Sequence, residues 1–368
     1  MARFEGLKRS FQPDWPGLVA NIMRRGTPER VYNIELFQDV EIRDAIAARF
    51  DLAKDVSPKD PDRERKTYIA VQRFCGMDYV RGGMVGLDMP LFGQTIPDVA
   101  ALQRPSGRHY QDENRGPIMN WADFEKYPWP DPNLPSATQE IEWYQHHLPD
   151  DMCIIGFGGF AHFAEMLTWL MGYQTFCLAL YDQRDLVQAI AQRLTAHYEV
   201  CLKRMLEFDR VKVIWGSDDM GHKTGLLFSP QDMREFVLSG HRRMAQIAHA
   251  AGRPYILHAC GNLADIMDDL INDVRIDGKH SYEDTIEDVR VVKHTYGRKI
   301  ALLGGIDVDF LCRADEAAVR QRVRETLNVC QSGGGYCLGT GNSVTNYIPL
   351  DHYLAMIDEG RLYGGTGR

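Results

Sequence analysis

The chain has 368 residues, 44% hydrophobic and 25% charged, which is the make-up of a globular protein. With 42 Lys+Arg against 51 Asp+Glu the formal charge is -9, which repels polyanions, and no basic tract with interleaved aromatics offers nucleic acid a footing. No apolar run approaches the ~20 residues needed to span a bilayer, and the opening Met1-Ala-Arg-Phe-Glu-Gly6 lacks a signal-peptide core, so the expectation is a cytoplasmic protein with no membrane partner.

Residues 1–30 read as an N-terminal helical extension, with a turn at Trp15-Pro16-Gly17 and a short helix over Leu18–Met23. Val31–Phe37 is the first candidate strand, with Glu35 near its C-terminal end. Helices are expected over Val40–Phe50 and Pro61–Cys75, the second opening on a charged turn with Pro61 near its first position. Tyr79-Val80 and the glycine-rich residues Gly82, Gly83 and Gly86 mark the end of a second strand. From 87 to 149 prolines break the pattern repeatedly, and Gly107–Ile118 looks like a hairpin. A structureless loop of that length is improbable in a compact domain, so 87–149 reads as an ordered insertion or lid over one mouth of the fold.

Beyond it the period is regular. Met152–Phe157 is the third strand and runs into Gly158-Gly159, where a missing side chain would let backbone approach a ligand. A long amphipathic helix over Leu186–Phe208 precedes the fourth strand, Val211–Trp215, and Ser229-Pro230 opens a helix that Gly252 stops. Pro254–His258, Asp273–Ile276, Ile300–Leu303 and Gly333–Leu338 are strands five to eight, and Pro349–Glu359 is a closing helix. Eight strand–helix units predict an α/β fold, a closed (β/α)8 TIM barrel over 31–368, with its active site at the C-terminal ends of the strands.

Strand five ends in His258-Ala-Cys260, two soft-metal ligands that the two-residue period of a strand puts on one side. Cys337, in the eighth strand, is the third candidate ligand. Three protein ligands with one open position describe a catalytic zinc rather than a structural one. The plain alternative is a satisfied histidine beside a core thiol. The candidate catalytic carboxylates are Asp218, Asp219, Glu35 and Asp307, each of which could equally cap a helix or serve structure. Gly83, His280 and Asn342 are candidates for holding a cofactor, and Glu165 is a further acid, base or metal oxygen. The remaining cysteines, 75, 153, 177, 201, 312 and 330, read as isolated reduced thiols.

Gly216-Ser-Asp-Asp-Met-Gly221, Leu227-Phe-Ser-Pro230, His258-Ala-Cys-Gly261, Leu303-Gly-Gly-Ile-Asp307 and Gly333-Gly-Gly-Tyr336 resemble the uroporphyrinogen decarboxylase superfamily, which includes zinc methyltransferases that work with corrinoid proteins. The resemblance implies a (β/α)8 barrel. The decarboxylases carry an arginine-rich loop after the first strand and a histidine after the last. Here those regions read Glu35-Leu-Phe-Gln-Asp39 and Asn342, and a tetrapyrrole with eight carboxylates needs positive partners. His258, Cys260 and Cys337 are similar to the methyltransferases' HxC plus a later cysteine. The function so implied is zinc-dependent movement of a methyl group between a small methylated compound or thiol and the cobalt of a corrinoid. The corrinoid would be carried by a separate protein, since no residues remain for a second module. The rivals are a metal-free lyase on a smaller carboxylated substrate and a non-catalytic barrel that binds metal or corrinoid. Homodimerisation is a family-based expectation.

Overall fold

A computed structural model describes residues 4–112, 114–157 and 160–365. Its centre is one parallel sheet of eight strands: β1 Tyr32–Asn33, β2 Tyr79–Gly82, β3 Cys153–Gly156, β4 Val211–Ser217, β5 Tyr255–His258, β6 Gly278–His280, β7 Ala301–Leu303 and β8 Tyr336–Leu338. A parallel sheet covered on both faces must be apolar throughout. Ile154, Ile155, Val213, Ile214, Trp215, Ile256, Leu257, Leu302 and Leu303 are accordingly all fully buried. The intervening helices cover the sheet; the longest, Arg184–Met205, buries Leu186, Ile190, Leu194 and Leu202 on one face at helical spacing.

The strand order is β1-β8-β7-β6-β5-β4-β3-β2, so β1 and β2 are the two edges. The sheet curls until these edges face each other, but no ladder joins them among the described residues. This corrects the expectation of a closed TIM barrel: the sheet is open. The reason lies in two side chains that occupy the seam. The Tyr79 hydroxyl accepts from Glu35 N at 2.9 Å and donates to Glu35 O at 3.1 Å, taking both backbone groups that a ladder would need. Asn33 Nδ2 donates across the same gap to Cys75 O at 3.1 Å.

Two further expectations shift. The sixth strand is not Asp273–Ile276; residues 270–274 are a wide helical turn that ends at Arg275 with φ +65°, and the strand starts at Gly278. That moves His280 from a loop to the last residue of a strand. The hairpin expected within 107–118 instead pairs Gly93–Ile96 with Arg108–Gln111. Gly158 and Gly159 lie outside the described residues. Among the described residues no helix is long and apolar enough to cross a membrane, and all eight cysteines are unpaired.

Candidate metal centre

Strands β4, β5 and β6 run side by side with Ser217 opposite His258 and His258 opposite His280, so the residues that follow them share one mouth. Asp219 leaves β4 there, and Cys260 leaves β5 two residues after His258. His258 Nε2 lies 3.4 Å from Cys260 Sγ and 3.3 Å from Asp219 Oδ1. These three donor atoms lie within 4.8 Å of one another. A tetrahedral ion with bonds of ~2.0–2.3 Å separates its donors by about 3.3–3.8 Å, so the two measured spacings suit zinc. The donor set also suits it: imidazole, thiolate and carboxylate are the groups zinc accepts.

Hydrogen bonds fix which nitrogen of His258 faces this cluster. Thr340 O can only accept, so His280 Nε2, 3.1 Å away, carries the proton. Burial pushes His280 well below the ordinary histidine range and keeps it neutral, and its Nδ1 therefore accepts. His258 Nδ1 donates to that atom at 2.8 Å. His258 Nε2 is thereby left to the Asp219 carboxylate and Cys260 Sγ, an arrangement that a cation at Nε2, a proton or a metal ion, completes. His280 thus acts as the orienting partner that metal-binding histidines usually have.

The environment tunes the other two donors in opposite directions. Burial pushes the Cys260 thiol well above its usual range, and Asp219 adds to the effect. Burial would also raise Asp219, but His258 and the Cys260 amide, which donates to Oδ1 at 3.0 Å, hold it well below the carboxylate range. Gly261 makes the approach of the two loops feasible. Its φ is +90°, and a Cβ there would sit 2.1 Å from the carbonyl carbon of Gly221.

The other sequence candidates separate into three places. Asn342 joins the cluster, its Nδ2 donating to Cys260 Sγ at 3.3 Å and to Glu283 Oε1 at 3.3 Å. Glu35 is buried away from the donor atoms and accepts from Thr340 N and Oγ1; burial pushes its carboxyl up to about 8. Asp218 belongs to the packing behind the mouth: it accepts from Ala164 N at 2.8 Å and Glu165 N at 3.0 Å and bonds His241 Nε2 at 3.0 Å. Asp307 caps Val308–Arg313 through Phe310 N and holds Asp284 N, each at 2.8 Å. Glu165 pairs with His162. Gly83 N donates to Glu140 Oε2 at 3.1 Å at the far side of the mouth.

Cys337 is not brought to the cluster. It sits inside the β8 ladder, opposite Tyr32 and Leu303, and its thiol accepts from Asn21 Nδ2 at 3.4 Å. Burial pushes it up to about 12. The β8 residue that reaches Cys260 is Asn342, five positions later, and the third metal-capable donor is Asp219. Glu283, expected with His280 to donate or accept a proton at the mouth, is held there by Asn342; Arg81 and His241 were not singled out from sequence, and only Arg81 carried a signal, being a charge inside an otherwise apolar strand.

The comparisons with known proteins follow this geometry. The family model for uroporphyrinogen decarboxylase (URO-D) matches residues 113–363. A uroporphyrinogen decarboxylase of Methylococcus capsulatus is 25% identical over 285 residues, covering 72% of this chain and 75% of that protein. The solved structure of a methyltransferase from Methanosarcina mazei superposes with a TM-score of 0.68 at 18% identity, covering 95% of this chain and 98% of that one; at such identity the likeness is one of fold. With two thirds of its length matched by the family model, the chain belongs to the uroporphyrinogen decarboxylase (URO-D) family.

Proposed function

We propose that this chain is an enzyme that works at the Asp219–His258–Cys260 cluster with a divalent metal, zinc by its donor type. The observation that supports it is the orientation of His258, whose Nε2 faces a carboxylate and a thiol while its Nδ1 is engaged by His280. The reaction that this donor set fits is methyl transfer between a small methylated compound or thiol and the cobalt of a corrinoid on a separate protein. A bound zinc supplies Lewis acidity to a sulfur or oxygen, which makes a thiol a thiolate or a heteroatom a better leaving group. The chain's own residues do the rest. Asp219 and Cys260 furnish negative charge, His280 and Thr340 hold the imidazole in one tautomer, and Asn342 donates to the sulfur and limits its charge.

A second reading, a lyase of the decarboxylase type on a carboxylated substrate smaller than a tetrapyrrole, has the wider support from the comparisons. Both the family and the Methylococcus relative carry the decarboxylase name. It is further favoured by Arg81 at the same mouth, a guanidinium without an ion-pair partner among the described residues. This reading needs no metal.

The test is metal analysis of the purified protein beside Cys260→Ala and His258→Ala, followed by methyl-transfer and CO2-release assays with and without chelator. About one zinc per chain, lost in both variants, with chelator-sensitive methyl transfer to or from a corrinoid protein, is the expected outcome. CO2 release that persists in chelator and in Cys260→Ala would replace it with the lyase.

A further inference from the structure

Arg81 is the third residue of β2, and its environment does not answer its charge. The guanidinium carbon lies 3.9 Å over the Phe157 ring and 5.6 Å over Phe37. Its Nε is buried without a hydrogen-bond partner, and so is Nε of Arg43, which lies 4.9 Å over Tyr68. Among the described residues neither side chain forms an ion pair, whereas Arg65 beside them is paired with Asp62 at 3.1 Å. Both side chains are half-buried, and a partly desolvated guanidinium with no ion pair is costly unless something anionic meets it.

Something can. The two arginines face a cleft of about 450 Å³ that Phe37, Tyr68 and Phe157 also line. Two carboxylates border it, Glu64 and Glu140, but neither pairs with Arg43 or Arg81. Glu140 is engaged by Gly83 N at 3.1 Å, and burial pushes its carboxyl upward, away from the charged form. The cleft lies beside the open seam: Phe37 and Arg43 follow β1, Arg81 and Gly82 end β2, and Phe157 follows β3. Arg81 is separated from the metal centre by rings, since Phe157 packs edge-on to Trp215 at 6.1 Å and Trp215 to His280 at 5.7 Å.

We propose that this cleft binds the oxyanion of a small molecule, a carboxylate or a phosphate, on Arg81 and Arg43, with the molecule's body against Phe37 and Phe157. The planar fork of arginine matches either oxyanion with two parallel hydrogen bonds, and the aromatic walls keep water from competing. The assignment holds for either reaction class above and does not depend on the metal.

The experiment is calorimetric titration of the protein as purified with benzoate, with inorganic phosphate and with neutral benzamide. At least one of the two anions binds, and benzamide does not. Arg81→Gln weakens that binding by about tenfold or more, the loss expected for hydrogen bonds to a charged group. Arg43→Gln weakens it as well, and serves if Arg81→Gln fails to fold. Cys260→Ala leaves it unchanged, and Arg81→Gln retains its metal, so this assignment and the metal reading fail separately. Benzoate without phosphate assigns a carboxylate, and phosphate without benzoate assigns a phosphate. The assignment is overturned if neither anion binds, if benzamide binds as tightly, if every foldable arginine variant binds like the wild type, or if Cys260→Ala abolishes binding.

Discussion

The middle of the sheet and its seam treat polar groups in opposite ways. Around β4 to β6 the polar groups of the candidate centre hold one another: Thr340 holds His280, His280 holds His258, and Asp218 is tied to two amides and His241. At the seam between β1 and β2, Tyr79 substitutes for a strand ladder, and the arginines beyond it are left with rings for company. Polar groups satisfied by the chain itself form a rigid frame that can orient one lone pair. The half-buried arginines at the seam are where the proposed oxyanion would complement the chain.

The largest test of the contrast is Glu35, which belongs to both regions because it touches Tyr79 by its backbone and Thr340 by its carboxylate. Its carboxyl titrates near 4.5 when exposed and near 8 in the folded chain. Between those values the folded state holds the extra proton, so its contribution is full below about 4.5 and is lost as pH rises through 8. Glu35→Gln should abolish this slope, leaving the variant more stable than the wild type at pH 9 by as much as about 5 kcal/mol, read from denaturant midpoints.

Gly304→Ala attacks the frame. Gly304 has φ +81°, and a Cβ there would lie 2.2 Å from Thr340 O and 2.9 Å from His280 Nε2, between the two ends of the bond that sets the tautomer. A loss of about 3 kcal/mol in unfolding free energy is expected. His280→Phe keeps the ring and removes the bond to His258; metal affinity measured against a competing chelator should fall about 10- to 100-fold. At the seam, Tyr79→Phe strands the Glu35 amide and should cost about 1–2 kcal/mol without changing metal content. Equal metal loss in Tyr79→Phe and His280→Phe would mean that the two regions are not separate.

What could be read from the sequence follows the same division. His258 and Cys260 were legible because a two-residue period in a strand fixes their side whatever the rest of the chain does. The long helix expected over Leu186–Phe208 was legible because its apolar spacing is local, and it forms as Arg184–Met205. Cys337 misled because a cysteine in the run Tyr336–Leu338 looks like a strand end, yet the mouth is reached only at Thr340 and Asn342. Asp219 was visible as a carboxylate but not as a ligand, since its proximity to His258 depends on the register of β4 with β5. The closed barrel failed for a tertiary reason: counting strand–helix units does not say whether the first and last edges bond, and Tyr79 decides that. The charge of Arg81 within an apolar strand was visible in the sequence, but its lack of an ion pair among the described residues is a property of packing.

One hydrogen bond has a further consequence. The Cys260 amide holds Asp219 Oδ1 independently of any ion, and the imidazole is anchored from its opposite nitrogen. If the cluster holds a metal, two of its three donors keep their places when that metal is removed, while the thiol, to which Asn342 donates, takes up a proton. Chelation followed by reloading should be a reversible cycle at neutral pH that needs no refolding, with proton release on reloading tracking the single sulfur.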